Sequence, residues 1–153
     1  MTYKELDARA TTLANILKQQ GVQQGDSVGI IVDKSFELLI TIIAIMKVGA
    51  FYIPIELNYS YDRKVYMLQD TNAKLVIKQK SDEKFEIPCS ELETIDFNNR
   101  ILDRIVRDSN YTCESPVCIL YTSGTTGNPK GAQIINKNIV KLVQNPDYMS
   151  FYN

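Results

Sequence analysis

The chain has 153 residues, 44% hydrophobic and 23% charged, with 7 glycines, 5 prolines and neither histidine nor tryptophan. That is the make-up of one globular domain, long enough to bury about 70% of the unfolded chain's surface, and it excludes a disordered or fibrous protein. The 17 Lys+Arg nearly cancel the 18 Asp+Glu, which argues against a nucleic-acid or membrane-surface role, since both need surplus cations.

The absence of histidine excludes imidazole-based dyads and triads, the HExxH metal site and Cys/His zinc sites within this chain. Cys89, Cys113 and Cys118 form no CxxC pair. Three thiolates are one ligand short of a structural zinc site, and unpaired thiols point to a reducing, cytoplasmic compartment. The longest apolar run, Leu38 to Met46, is far short of the about 20 residues a bilayer span needs. Met1 is followed by Thr-Tyr-Lys-Glu, so no signal peptide is expected.

Thr2 and Glu5 have capping-box spacing, and Leu6, Ala10, Leu13 and Leu17 then recur at helical spacing up to Gly21, which predicts a first helix. Gly25-Asp26 marks a turn, and Val28 to Val32 reads as a buried strand. Ser35 caps a second helix over Phe36 to Val48, stopped by Gly49 and apolar nearly all round. Phe51 to Ile55 predicts a second strand, with Pro54 near its end or on an edge. Ser60 is placed to cap a third helix with Tyr61, Val65 and Leu68 inward, and Lys74 to Lys78 gives a third strand. The order β-α-β-α-β implies an α/β fold built on a mainly parallel sheet with right-handed crossovers.

Residues 79–116 read as a charged connecting segment. From Lys78 to Asp108 charges of both signs crowd between short hydrophobic runs, the pattern of a solvated face or exposed excursion. Within it a strand at Thr94 to Phe97 and a helix at Asn99 to Arg107 are expected. Val117 to Tyr121 then predicts a fourth strand, Ala132 to Ile135 a fifth, and Asn136 a cap for a last helix over Lys137 to Gln144.

Between the last two strands lies Thr122-Ser-Gly-Thr-Thr-Gly-Asn-Pro-Lys-Gly131. Glycines let successive backbone N–H groups converge on an anion, hydroxyls donate without adding charge, and Lys130 adds a mobile cation. Composition alone leaves open a plain Gly/Ser/Thr hairpin with one surface lysine. The segment is not the GxxxxGK[ST] P-loop, and a strand rather than a helix follows it. Amides, hydroxyls and Lys130, not a helix dipole, must therefore attract the anion.

Tyr121-Thr-Ser-Gly-Thr-Thr-Gly-Asn-Pro-Lys-Gly131 resembles the signature phosphate loop of the adenylate-forming superfamily. Thr2-Tyr-Lys-Glu-Leu6 is similar to the first core motif of the adenylation domains of nonribosomal peptide synthetases, and Met46-Lys-Val-Gly-Ala-Phe-Tyr-Ile-Pro-Ile-Glu56 to their second. Asp62-Arg63, Tyr66-Met-Leu68 and Ala73-Lys-Leu75 follow the same pattern. Glu56, Val48, Ser60 and Asn136 depart from it, standing where Asp, Ala, Pro and His are usual.

The resemblance covers essentially the whole chain and implies an N-terminal fragment of the large subdomain of such an enzyme. The adenine pocket, acyl pocket, magnesium-holding acid and catalytic lysine of that family all come later, so no catalytic or metal residue is expected here. Thr122, Ser123, Gly124, Thr125, Thr126, Gly127 and Lys130 would contact the phosphates of ATP with Mg2+. The implied activity of the parent is formation of an aminoacyl-adenylate and loading onto a phosphopantetheine carrier. Carrier and condensation domains and a C-terminal adenylation subdomain would be partners in cis. A fatty-acyl or aryl acid ligase fragment and a non-catalytic remnant are the alternatives. A fragment of this kind should leave sheet edges unpaired, apolar surface exposed and its last helix packed on little.

Overall fold

The computed structural model describes residues 1–97, 111–122 and 129–144. Helix α1 (Tyr3–Gln19) opens on the expected reciprocal cap, with the Thr2 amide donating to Glu5 Oε2 at 2.7 Å and the Glu5 amide to Thr2 Oγ1 at 3.2 Å. Strand β1 (Ser27–Ile31) follows and is buried throughout. Helix α2 (Phe36–Val48) starts under the Ser35 hydroxyl, which accepts from Leu38 N, and ends at Gly49, whose φ of +84° is left-handed. Strand β2 (Phe51–Pro54), helix α3 (Tyr61–Asp70) and strand β3 (Leu75–Lys78) complete the predicted series. Pro54, which has no N–H to give a ladder, is the last residue of its strand, as anticipated. Ser60 precedes α3 but its side chain makes no cap bond; only its carbonyl is engaged, by Lys64 N.

Strands β1, β2 and β3 run parallel and β1 lies in the middle. The chain therefore goes from β1 to β2 over one face and returns from β2 to β3 over the other. Side-chain alternation serves both faces. Val28 and Ile30 join Leu13, Leu17, Ile40 and Ile45 under α1 and α2, while Ile31, Ile53 and Val76 join Met67 and Leu68 under α3. Gly29 belongs to the α3 side, where an added Cβ would lie 2.4 Å from Leu68 Cδ2. Helix α3 packs close because that strand position is bare.

The segment after β3 departs from expectation. A short strand β4 (Cys89–Glu91) pairs in parallel with β3, and Leu92–Thr94 forms a 3-10 turn. The strand expected at Thr94 to Phe97 is not formed. The Thr94 hydroxyl donates to Glu91 O and closes the turn, while Ser90 and Leu92 supply the buried side chains. The helix expected at Asn99 to Arg107 lies outside the described residues. The middle of the excursion is largely exposed, as its charges imply, but two buried lysines hold it down. Lys64 of α3 meets both Glu83 oxygens at 2.9 Å, and Lys78 donates to the carbonyls of Ser81 and Glu83.

Strand β5 (Pro116–Thr122) lies parallel beside β2, and β6 (Lys130–Ile135) returns antiparallel to it. The described sheet is six-stranded, ordered β4-β3-β1-β2-β5-β6. Helix α4 (Asn136–Gln144) begins one residue earlier than expected. Asn136 does not cap it. The amides of Asn136 and Lys137 go instead to the carbonyls of Ser115 and Cys113, and Asn138 Oδ1 accepts from Ile135 N. No residue of α4 is buried, and Leu120, Leu142 and Val143 are exposed, which is the bare surface anticipated for a partial domain.

Candidate phosphate-binding site

Strands β1, β2, β3 and β5 all point their carboxyl ends to one edge of the sheet. In open parallel sheets ligands bind along that edge, above all where the connections diverge to opposite faces. Here the divergence lies between β1, which leads to α2, and β2, which leads to α3. A cleft of about 520 Å³ opens at that point, lined by Val32, Asp33, Lys34, Pro54, Glu56 and Asn58 among others. The Met46 to Glu56 segment reads from sequence as packing, and Val48, Ala50, Ile53 and Ile55 are indeed buried. Glu56, at its end, instead faces this cleft.

The carboxyl end of β5 and the start of β6 lie at the same edge, with β5 next to β2. Thr122 pairs directly with Lys130 across the antiparallel stem, so the first hydroxyl and the lysine of the motif flank the loop's mouth. Both are exposed and neither is committed to the core. Ser123, Gly124, Thr125, Thr126 and Gly127 lie outside the described residues. The arrangement places a hydroxyl donor and a flexible cation side by side at the sheet edge.

One pair back from the mouth, Tyr121 faces Gly131. A Cβ on Gly131 would lie 2.8 Å from Ile119 Cγ2 and 3.2 Å from Tyr121 Cζ, so the aromatic ring lies against bare backbone. The Tyr121 hydroxyl donates to Asp70 Oδ2 at the end of α3. Burial foremost, then the hydrogen bond and the charge of Asp70, push the phenol well above its ordinary value, so it remains a donor. Sequence reading places Tyr121 at the end of a strand and the head of the loop motif, and passes over Asp70. A signal was present: Asp70 is an anion in a helix's last turn, where no base accompanies it and the dipole disfavours it.

Further down the stem Cys118 stands opposite Tyr52 of β2. Burial raises the Cys118 thiol, and burial with the neighbouring thiol pushes Tyr52 up to about 12. Cys89 and Cys113 are exposed. Among the described residues no group of three acidic or thiol side chains could hold a metal, and no helix is long and apolar enough to cross a membrane.

Comparison with known proteins agrees with this architecture. Gramicidin S synthase 2 of Brevibacillus brevis is 36% identical over 97% of this chain and 3% of its own length. Tyrocidine synthase 2 of Brevibacillus parabrevis is 38% identical over 94% of the chain and 4% of its own length. Among solved structures, the N-terminal subdomain of Klebsiella oxytoca NpsA in complex with 3-hydroxybenzoyl-AMSN superposes with a TM-score of 0.78 at 30% identity, over 93% of this chain and 36% of that one. The chain thus spans a small part of the relatives it matches. An AMP-binding enzyme family model covers residues 1–152, and the chain belongs to that family.

Proposed function

We propose that this chain is the N-terminal part of an adenylation domain that activates an amino-acid carboxylate for nonribosomal peptide synthesis. The observation that carries the reading is the hairpin that sets Thr122 against Lys130 at the ligand-binding edge of the sheet. In the reaction the carboxylate oxygen attacks the α-phosphorus of ATP, the bond to the bridging oxygen breaks, and pyrophosphate leaves with that electron pair. Thr122, Ser123, Gly124, Thr125, Thr126, Gly127 and Lys130 would grip the β- and γ-phosphates, where negative charge accumulates. Mg2+ would neutralise those same phosphates, and a phosphopantetheine thiol on a carrier domain would accept the acyl group. Carrier, condensation and C-terminal adenylation subdomains would be supplied in cis by the longer protein. In this division residues 1–78 form the βαβαβ scaffold, 79–116 the charged connection and 117–153 the part bearing the loop.

Amino-acid-dependent exchange of pyrophosphate into ATP by the full-length protein tests the proposal. Lys130→Ala should slow exchange on the order of 100-fold, about 3 kcal/mol of lost transition-state stabilisation. An unchanged rate would remove Lys130 from the machinery. A second reading, activation of an aryl acid, is favoured by the 3-hydroxybenzoyl ligand of the NpsA structure. The same assay with benzoate derivatives beside amino acids separates the two. Calorimetry of the chain alone with MgATP should show weak or undetectable binding; sub-micromolar affinity would mean that the nucleotide site is more complete than proposed.

A further inference from the structure

We infer that Asp70 and Tyr121 form a tether that positions the β5–β6 stem, so that the end of α3 sets where Thr122 and Lys130 stand. The inference rests on the proposed function for its purpose, but the tether itself is tested independently. Its basis is how little backbone pairing holds the stem near its mouth, where Ile119 and Tyr121 otherwise only rest on the α3-side core. Among the described residues, β5 registers with β2 at a single pair, Cys118 opposite Tyr52. Strand β2 ends two residues later at Pro54, which offers no N–H. From Ile119 to Thr122 the strand therefore has a regular partner on one side only, β6. Strand β6 is itself an exposed edge over Lys130 to Gln133.

A hairpin stem supported on one side twists readily, and any twist displaces the two residues at its mouth. Tyr121 corrects this from the face below. Its ring covers Gly131, joining the two strands one pair from the mouth, and its hydroxyl reaches Asp70. The anchor is rigid, because α3 is pinned to the sheet by buried Met67 and Leu68, and the Thr71 carbonyl next to Asp70 accepts from Ser27 Oγ of β1. A chain of contacts thus runs from the middle strand, through the end of α3, to the hairpin stem. Asp70 and Tyr121 are positioning residues: they act through the stem that carries Thr122 and Lys130.

Amide hydrogen exchange in residues 117–122 and 130–135 of the full-length protein reads the tether directly. Tyr121→Phe and Asp70→Ala should each raise it about tenfold, as loss of one charge-assisted hydrogen bond allows. The double variant should exceed neither single one, since both remove the same bond. Asp70→Asn retains an accepting oxygen and should stay near wild type. In pyrophosphate exchange the same variants should raise KM for MgATP several-fold and leave KM for the acyl substrate unchanged. Unaltered hydrogen exchange in Tyr121→Phe, additive losses in the double variant, or an equal rise in both KM values would overturn the tether. Wild-type protein inactive in pyrophosphate exchange would overturn the proposed function instead, and hydrogen exchange would still decide the tether.

Discussion

Replacing Gly29 by alanine should destabilise the fold by about 1–2 kcal/mol, although the change adds one methyl group to a strand. Gly29 pairs with Ile53 on one side and Val76 on the other, at the centre of the sheet. Its missing side chain would point at α3, with Leu68 Cδ2 only 2.4 Å from the new Cβ. Ordinary carbon contacts lie at about 3.5–4.0 Å, so about 1.2 Å of overlap must be relieved. Leu68 is 1% exposed and shares a core cluster with Ile31, Ile53 and Met67, so relief must come by shifting its side chain towards the cleft it lines with Val65 and Phe85. Overpacking of this kind costs about 1–3 kcal/mol, offset by about 0.5–1 kcal/mol from the smaller entropy of the unfolded chain. At this chain length each kcal/mol shifts Tm by roughly 2–4 °C. Urea melts read the free energy, and a constant m confirms that the unfolded state is unchanged. Leu68→Ala alone should cost about 2–5 kcal/mol, and the pair should cost less than the sum because the new methyl fills part of the cavity. A Gly29→Ala protein as stable as wild type would show that α3 does not depend on the bare position.

Other consequences are as concrete. Lys64→Ala leaves Glu83 without its bidentate partner and should cost about 2 kcal/mol, less than a wholly buried pair because Glu83 is partly exposed; limited proteolysis should then cut first between residues 79 and 88. The Glu5 carboxyl lies below its ordinary value, mainly through the hydrogen bond from the Thr2 amide. A depressed carboxyl stabilises above its unfolded value and loses that contribution as pH falls through the folded one, so a carbon-detected titration of Glu5 should show a lowered midpoint that returns to normal in Thr2→Pro. Tyr52 works at the other extreme: its phenol, raised to about 12 by burial and by Cys118, supports the fold fully below pH 10 and loses that support as pH climbs towards 12, which an alkaline melt compared with Tyr52→Phe should show. Native protein should alkylate readily at exposed Cys113 and not at buried Cys118; equal rates would place Cys118 at the surface.

The residue pattern determined most of the scaffold, because the periodicities that distinguish helix from strand are local. Leu6, Ala10, Leu13 and Leu17, closed by Gly21, describe α1 without reference to any other part of the chain. The alternation of Ile30 and Ile31 between two faces likewise needs only the pleat of a strand. The candidate phosphate loop stands out in the sequence for a related reason: glycines, hydroxyls and a lysine crowd between two predicted strands. What tertiary structure alone decided are the pairings that local patterns do not encode. Cys89–Glu91 carries no β-branched residue and becomes a strand because the edge of β3 offers it partners. Lys78 opens the run that reads as a solvated face, yet it and Lys64 of α3 are both buried once Glu83 and its carbonyl arrive. Asp70 and Tyr121 lie far apart in the sequence, and only the crossing of α3 beneath the hairpin brings carboxylate and phenol together. Local sequence specifies which element each residue joins; which elements meet depends on burying both faces of one sheet at once, a property of the whole chain.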